Sequence, residues 1–291
     1  MFAKDIGIDL GTANVLIYIK GEGIVLNEPS VVAIDAESKR PLAFGKEAHE
    51  MLGRTPGSVI AIRPMQDGVI ADFDITEMML NYFTKKVNGK NILSRPRVII
   101  CCPANITAVE KNAIKEAAER TGAKKVFIEE EPKVAAIGAG IDISIPSGSM
   151  IIDIGGGTTD IAVLSLGGIV TSESIKIAGN VFDTDIIRYI KNKYKLLIGD
   201  RTAEEIEEAL RDSAYEIVHA AKNVLEQTPP ELSADIFNKG IVLTGGGAMV
   251  RGMDKLLSGE LKVPVSLADS PLTCVAEGTG ILLNNLSLID K

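Results

Sequence analysis

The feature that most constrains this chain is one device used twice. Asp9-Leu-Gly-Thr-Ala-Asn14 and Asp153-Ile-Gly-Gly-Gly-Thr-Thr-Asp160 each join two β-rich apolar runs, with an Asp two residues before the glycine of the turn. Strand, Asp, glycine turn, strand is the grammar of a hairpin whose turn needs special backbone geometry. Its recurrence predicts two related α/β halves with a boundary near residue 145. A third glycine turn, Leu243-Thr-Gly-Gly-Gly-Ala248, closes a strand in the second half.

Glycine lets successive backbone N–H groups point inward, and such nests hold anions. Thr12, Thr158 and Thr159 add hydroxyl donors at the turns. Asp9 and Asp153 cannot hold phosphate themselves, because like charges repel. They make sense if a hydrated Mg²⁺ stands between carboxylate and phosphate, since that ion prefers oxygen ligands and keeps its waters. One such turn alone reads as a tight hairpin; three, with the Asp-x-Gly pattern duplicated, predict a polyphosphate held between two lobes. No GxxxxGK[ST] occurs, so a P-loop is excluded as the phosphate site.

The rest of the 291 residues fits a globular two-lobed reading. Extended segments are predicted around 24, 31–34, 42–44, 60–64, 98–102 and 126–128, with a turn at Asp67-Gly68. A helix is expected from Thr76, with Met78, Met79, Tyr82, Phe83 and Val87 at helical spacing. Thr107-Ala-Val-Glu110 is a capping box opening a helix that ends at Thr121-Gly122. Small residues suggest a helix over 133–138. Ile206, Leu210, Ala214, Ile217, Ala221 and Val224 form one face of an amphipathic helix ended by Thr228-Pro-Pro. Gly278-Thr-Gly280 is read as the opening of a last apolar helix reaching Leu288.

Charge and cysteine content remove several function classes. The net charge of −8, from 31 basic and 39 acidic residues, carries no nucleic-acid footprint. Cys101, Cys102 and Cys274 have no CxxC spacing, and His49 and His219 are the only histidines, so a zinc site and a disulfide framework are not expected. A reduced, cytoplasmic compartment is the simple reading. No signal peptide and no apolar run of membrane-spanning length is visible.

At this point the residues resemble a family. Ile8-Asp-Leu-Gly-Thr-Ala-Asn, Ile128-Glu-Glu-Glu-Pro, Asp153-Ile-Gly-Gly-Gly-Thr-Thr-Asp and Leu243-Thr-Gly-Gly-Gly-Ala are similar to the phosphate and adenosine motifs of the actin, chaperone and sugar-kinase ATPases. Asn27-Glu-Pro-Ser-Val-Val-Ala, Ile62-Arg-Pro-Met-Gln-Asp-Gly-Val-Ile-Ala-Asp, Thr228-Pro-Pro-Glu-Leu-Ser-Ala-Asp-Ile and Pro271-Leu-Thr-Cys-Val-Ala narrow the resemblance to the MreB/Mbl bacterial actins. Cys101-Cys102-Pro and Tyr194-Lys-Leu-Leu-Ile-Gly lean toward the Mbl branch.

The resemblance implies an actin-like ATPase fold, two ribonuclease-H-like lobes around a nucleotide cleft. The first lobe is expected over 1–145, with a small insertion at about 33–65 and a C-terminal helix, 271–291, packing back on it. The second is expected over 146–270, with an outer subdomain at about 182–239. The implied cofactors are ATP and Mg²⁺. Gly11, Thr12, Ala13 and Asn14 would form the first phosphate loop, and Gly155, Gly156, Gly157 and Thr158 the second. Ala203, Glu204, Glu205, Ile206, Gly245, Gly246, Gly247, Ala248 and Met249 would flank the adenosine. Asp9 and Asp153 would face the metal through water. Glu131 and Thr158 would be catalytic, with Glu131 at the position that orients the attacking water. A plain structural role also fits Glu131, as an acid favoured at a helix start before Pro132.

One departure stands out. In the family, Arg-Thr-Ala-Glu continues into a small outer subdomain before the segment that ends in Glu-Ala-Leu. Here Arg201-Thr-Ala-Glu-Glu-Ile-Glu-Glu-Ala-Leu210 runs the two together, so several tens of residues are missing near 203–208. The family's usual Lys near the adenine stands as Glu207, while Glu204 is retained. A weakened closure would slow turnover more than phosphate binding.

Ile92 and Leu93 sit in a polar loop near Lys85, Lys86, Lys90, Arg95 and Arg97, a pattern that suits an anionic bilayer surface but also fits a loop covering its own core. Met1 and Phe2 could add to a membrane contact. The resemblance implies a polymerising ATPase that organises cell-wall synthesis and rod shape at the inner face of the cytoplasmic membrane. Its implied partners are further copies of itself, in antiparallel double protofilaments, and membrane-embedded elongation proteins. A nucleotide-binding scaffold with impaired hydrolysis, or a small-molecule kinase on the same fold, are the alternatives; a chaperone-like ATPase would need a substrate-binding domain that no segment supplies.

Overall fold

The computed structural model describes residues 4–54, 57–88, 95–104, 106–194 and 207–286. In chain order its elements are β1 (Ile6–Leu10), β2 (Asn14–Ile19), β3 (Gly23–Pro29), β4 (Val32–Asp35), β5 (Pro41–Phe44), α1 (Lys46–Met51), β6 (Val59–Ile62), β7 (Met65–Gln66), β8 (Val69–Ile70), α2 (Phe73–Asn88), β9 (Arg97–Cys102), α3 (Ala108–Arg120), β10 (Lys125–Glu130) and α4 (Glu131–Gly138). The second half adds β11 (Ser149–Ile154), β12 (Thr159–Ser165), β13 (Gly168–Ile175), α5 (Gly179–Tyr194), α6 (Arg211–Gln227), α7 (Pro230–Lys239), β14 (Ile241–Thr244), α8 (Met253–Leu261), β15 (Val265–Leu267) and α9 (Cys274–Asn284). Short 3-10 turns occupy Glu207–Leu210 and Gly247–Met249. Among the described residues no helix is long and apolar enough to cross a membrane.

Two compact units divide the chain. The first holds residues 1–102, 106–134 and 275–291; the second holds 103–105 and 135–274. The first unit is built on a five-stranded sheet in the order β10-β9-β1-β2-β3. Strands β1, β2 and β3 form an antiparallel meander, and β9 and β10 then add in parallel on the other side of β1. Alternate residues Ile6, Ile8, Leu10, Val98, Ile100 and Cys102 turn one face into a core with Met79, Leu80 and Phe83 of α2 and Ile114 and Ala117 of α3. Each large side chain so buried contributes about 1.5–3 kcal/mol relative to exposure. A small sheet, β5-β4-β6, packs its own alanine-rich cluster, Val31, Ala33, Ala43 and Ala48.

The second unit repeats this plan. Its sheet order is β13-β12-β11-β14-β15, with β11, β12 and β13 as the antiparallel meander and β14 and β15 as the parallel additions. Even the irregularity recurs, since each meander shifts register within its last strand pair, at Ile17/Tyr18 and at Val163/Leu164. Its core joins Ile152, Ile154, Ile161 and Val163 to Ala214, Ile217, Ala221 and Val224 of α6.

Several helix starts differ from the sequence expectation. α2 begins three residues before Thr76, because the Asp72 carboxylate accepts the Ile75 N–H at 3.0 Å and acts as the cap. Thr76 lies inside, its hydroxyl donating to the Asp72 carbonyl at 2.7 Å. α4 begins at Glu131 rather than at 133, so Glu131 is itself the first helical residue. α6 begins at Arg211, with Leu210 at its N-cap position. α9 begins at Cys274, four residues before Gly278. Gly278 and Gly280 are mid-helix because of close approach: a Cβ on Gly278 would stand 2.0 Å from the Val134 carbonyl oxygen, and one on Gly280 would strike the Tyr18 ring. The capping box of α3 forms as expected, with Thr107 and Glu110 each bonding the other's backbone N–H.

Candidate functional site

In the first unit, β1 delivers Asp9 and the first glycine turn. The Gly11 N–H donates to the Asn14 carbonyl at 3.1 Å, closing the turn. Two bonds from Ser30 buttress it, with Oγ donating to the Gly11 carbonyl at 2.6 Å and N–H donating to that of Ala13 at 2.9 Å. Thr12 is buried, and its hydroxyl accepts the Gly68 N–H at 3.0 Å. An accepting hydroxyl keeps its own proton to donate, so Thr12 retains the capacity expected of it.

Register places an acidic row beside this turn. Asp9, Cys101 and Glu129 are partners across β1, β9 and β10. Their neighbours Ile8 and Ile100 belong to the core face, so the row lies on the opposite face of the sheet. Burial pushes the Asp9 carboxyl up to about 7. The Cys101 thiol is raised well above its usual range by burial, and then by the charges of Asp9, Glu131, Cys102 and Glu129. Three carboxylates therefore converge where β1, β9 and β10 end, the edge at which parallel α/β sheets place their ligands. Glu131 stands in the first turn of α4.

The second unit builds its turn the same way. The Gly155 N–H donates to the Thr158 carbonyl at 2.9 Å. Here the buttress is the start of α5, where the N–H groups of Gly179 and Asn180 donate to the carbonyls of Gly155 and Gly156 at 3.1 and 2.8 Å. Asp153 is buried. Thr159 does not serve as a phosphate donor: its buried hydroxyl donates to the Ile177 carbonyl at 2.6 Å. Thr158 bonds Asp160 instead. Asp160 also accepts from Ser174 and from the Ala104 N–H at 3.3 Å, yet burial keeps its carboxyl raised. Sequence reasoning quoted Asp160 without giving it a role. Its signal was the register, because Asp160 pairs with Asp153 across β11 and β12.

The third turn lies against the second. Gly245, at φ 87°, would place a Cβ 2.4 Å from Asp153 Oδ1 and 2.3 Å from the Ile154 carbonyl oxygen. Any side chain there would push the two turns apart. Pro271 pins the turn, accepting from the Gly245 N–H at 2.9 Å and the Thr244 hydroxyl at 3.0 Å. Ala248 is buried, whereas Met249 is exposed, with Leu272 exposed nearby against Gly246. Ala203, Glu204, Glu205 and Ile206 lie outside the described residues, as do Met1, Phe2, Ile92 and Leu93.

Among the described residues no group of three or more His, Cys, Asp or Glu side chains could cage a metal. Asp9 and Asp153 each offer a single hard-oxygen carboxylate in a buried setting that disfavours an uncompensated charge. That donor chemistry fits a hydrated divalent cation held jointly with phosphate oxygens.

Known proteins resemble this arrangement over its whole length. The family model described as MreB/Mbl protein matches residues 3–208 and 204–291. The chain is 57% identical to the cell shape-determining protein Mbl of Bacillus subtilis (strain 168), over 100% of this chain and 99% of that one. It is 47% identical to the cell shape-determining protein MreB of Escherichia coli (strain K12), covering 99% and 95%. Among solved structures, MreB5 of Spiroplasma citri bound to AMPPNP superposes with a TM-score of 0.93 at 39% identity, covering 99% and 98%. A MamK double helical filament matches in fold, at TM-score 0.83 and 22% identity. The alignment with the Bacillus protein spans 329 positions against 291 residues here, so at least 38 of them have no counterpart in this chain. The two matches to the family model overlap at 204–208, the seam at which the sequence runs two motifs together.

Proposed function

The chain belongs to the MreB/Mbl family, and from that premise we propose an ATP-binding bacterial actin that polymerises and organises cell-wall synthesis and rod shape. The observation that carries the reading is the duplicated Asp-x-Gly turn, closed by the same backbone bond in two sheets of identical topology. The nucleotide-bound state of the Spiroplasma relative supports nucleotide binding, and the filament of MamK supports self-association on this fold.

In this reading Gly11 to Asn14 and Gly155 to Thr158 give their N–H groups to the phosphates. Gly245 to Met249 border the nucleoside. Bound Mg²⁺ would neutralise phosphate charge, with Asp9 and Asp153 holding its waters. Glu131 accepts a hydrogen bond from the attacking water and orients it, and Thr158, whose hydroxyl is turned by Asp160, is the second catalytic group. The protein works at the inner face of the cytoplasmic membrane, with Met1, Phe2, Ile92 and Leu93 as the apolar contacts. Of the flanking cations, Lys86 is paired with Glu28 and Arg97 with Asp5, which leaves Arg95 and Lys85 better placed to meet anionic lipid. Further copies, in antiparallel pairs of protofilaments, and membrane-embedded elongation proteins are its partners.

The missing positions near 204–208 favour a second reading, a filament scaffold that binds nucleotide but turns it over slowly. Titration of a fluorescent ATP analogue with Mg²⁺ tests the first step. One equivalent should bind, and either Gly11→Ala or Gly155→Ala should weaken it. Unchanged binding in both variants would remove the phosphate role from the turns. Co-sedimentation with vesicles containing anionic lipid tests the membrane contact, which Ile92→Ser/Leu93→Ser should abolish; retention by that variant would move the contact elsewhere.

A further inference from the structure

We propose that Lys133 is a positioning residue for Glu131, acting through an ion pair with Glu129 that brackets the strand-to-helix junction. The inference rests on the reading of Glu131 given above. Lys133 Nζ stands 2.8 Å from Glu129 Oε2, and the two side chains are only 19% and 13% exposed. Glu129 is the penultimate residue of β10 and Lys133 the third of α4, so the pair spans the junction with Glu131 and Pro132 inside it.

The charge arrangement explains why a cation belongs there. On the non-core face of the first sheet, β1, β9 and β10 present side chains in rows set by register. One row contains Arg97 and Lys125, and Arg97 pairs with Asp5 just before β1. The next contains Gly7, Ile99 and Phe127 and is uncharged. The last contains Asp9, Cys101 and Glu129, with Glu131 two residues beyond Glu129 at the start of α4. That row holds no basic residue on its own strands, and Lys133 brings one in from α4. The Cys102 thiol adds a hydrogen bond to the Glu129 carbonyl at 3.6 Å, tying the strand end to its neighbour.

Without Lys133, Glu129 would be a largely buried carboxylate beside two others. Such a charge is costly, and the junction would shift to bring it to water. Glu131 would move with the junction. Misplacement of a water-orienting group slows the chemical step while leaving substrate binding to groups elsewhere. The phosphates are held by the glycine turns, so nucleotide affinity is not expected to follow.

The test compares the parent chain with Lys133→Met, Lys133→Arg, Glu129→Gln/Lys133→Met and Glu131→Gln. Single-turnover ATP hydrolysis, affinity for a fluorescent ATP analogue and nucleotide-free thermal unfolding are read for each. Lys133→Met should slow hydrolysis about tenfold or more, with affinity within about threefold. Lys133→Arg should recover most of the rate. The double variant, which removes both charges, should regain both unfolding temperature and rate relative to Lys133→Met. A lower unfolding temperature in Lys133→Met with an unchanged rate would reduce Lys133 to a stabilising residue and overturn the proposal. Equal rate loss in the single and double variants, with weakened affinity, would overturn it in favour of direct contact with nucleotide. If Glu131→Gln hydrolyses ATP as fast as the parent, the reading of Glu131 fails first, and the role of Lys133 falls with it.

Discussion

The two units share a plan but differ at the ends of their parallel strands. In the first unit β9 ends in Cys101 and Cys102, and β10 ends in the acids Glu129 and Glu130, with Glu131 opening α4. In the second, β14 ends in Thr244 and is followed by Gly245, Gly246 and Gly247, while β15 leads to Asp269 and Pro271. Side-chain carboxylates thus gather at the end of the outermost parallel strand in the first unit, whereas bare backbone follows the inner parallel strand in the second. Duplication supplies two equivalent glycine turns; in the proposed reading, divergence at the neighbouring strand ends adds a reacting carboxylate in the first unit and a close-packed nucleoside border in the second.

Asp269 and Glu131 make the sharpest contrast, because each follows the outermost parallel strand, Glu131 as the first residue of α4 and Asp269 in the loop before α9. Glu131→Gln should reduce hydrolysis by about 10²-fold or more, whereas the exposed Asp269→Asn should leave it unchanged. Equal effects in a phosphate-release assay would break the distinction between the two strand ends.

The turns themselves should differ less. A Cβ on Gly11 would stand 2.8 Å from the Asn14 carbonyl oxygen, while one on Gly155 would stand 3.2 Å from that of Thr158. Gly11→Ala should therefore cost more stability, on the order of 1–3 kcal/mol, with Gly155→Ala at the lower end or below. Chemical denaturation of the two variants measures the order; the reverse order would show that the second turn is the tighter.

How far the sequence carries depends on the kind of signal. The hairpins around Gly11 and Gly155 were legible because the Asp-x-Gly pattern and flanking β-branched runs act locally, and the duplication followed from them. The capping box at Thr107 was legible for the same reason. Helix starts at Phe73 and Cys274 were not, since Asp72 competes with Thr76 as a cap and Gly278 resembles a helix breaker until Val134 is seen against it. The hydroxyl of Thr159 was misread because its partner, the Ile177 carbonyl, is distant in sequence. Asp160 needed the register of the second sheet, which no linear spacing encodes, and the Glu129–Lys133 pair, though four residues apart, needed the strand-to-helix junction at Glu131 to be placed.

The smallest effect concerns an anchor within the first unit. Glu28 on β3 binds Lys86 of α2 at 2.8 Å and the Lys46 N–H of α1 at 2.9 Å. Partial burial raises its carboxyl, but the Lys86 hydrogen bond, the Lys46 N–H and both lysine charges outweigh it, and the net shift is downward. A lowered folded-state value means stability that is present above the ordinary carboxylate range and is lost as pH falls through the folded value. Because the pair is partly exposed, Glu28→Gln should cost only about 0.5–1 kcal/mol at neutral pH. Melts of parent and variant should converge in acid; a gap that persists there would assign the effect to packing.

The central claim is that this chain assembles in response to nucleotide. Sedimentation with electron microscopy of the pellet, with ATP and Mg²⁺, with ADP and Mg²⁺ and without nucleotide, tests it directly. Filaments that form with ATP and Mg²⁺ and are lost without nucleotide are the expected result. A chain that binds nucleotide yet remains monomeric in every state would contradict it, and would leave the shortened segment near 204–208 as the reason.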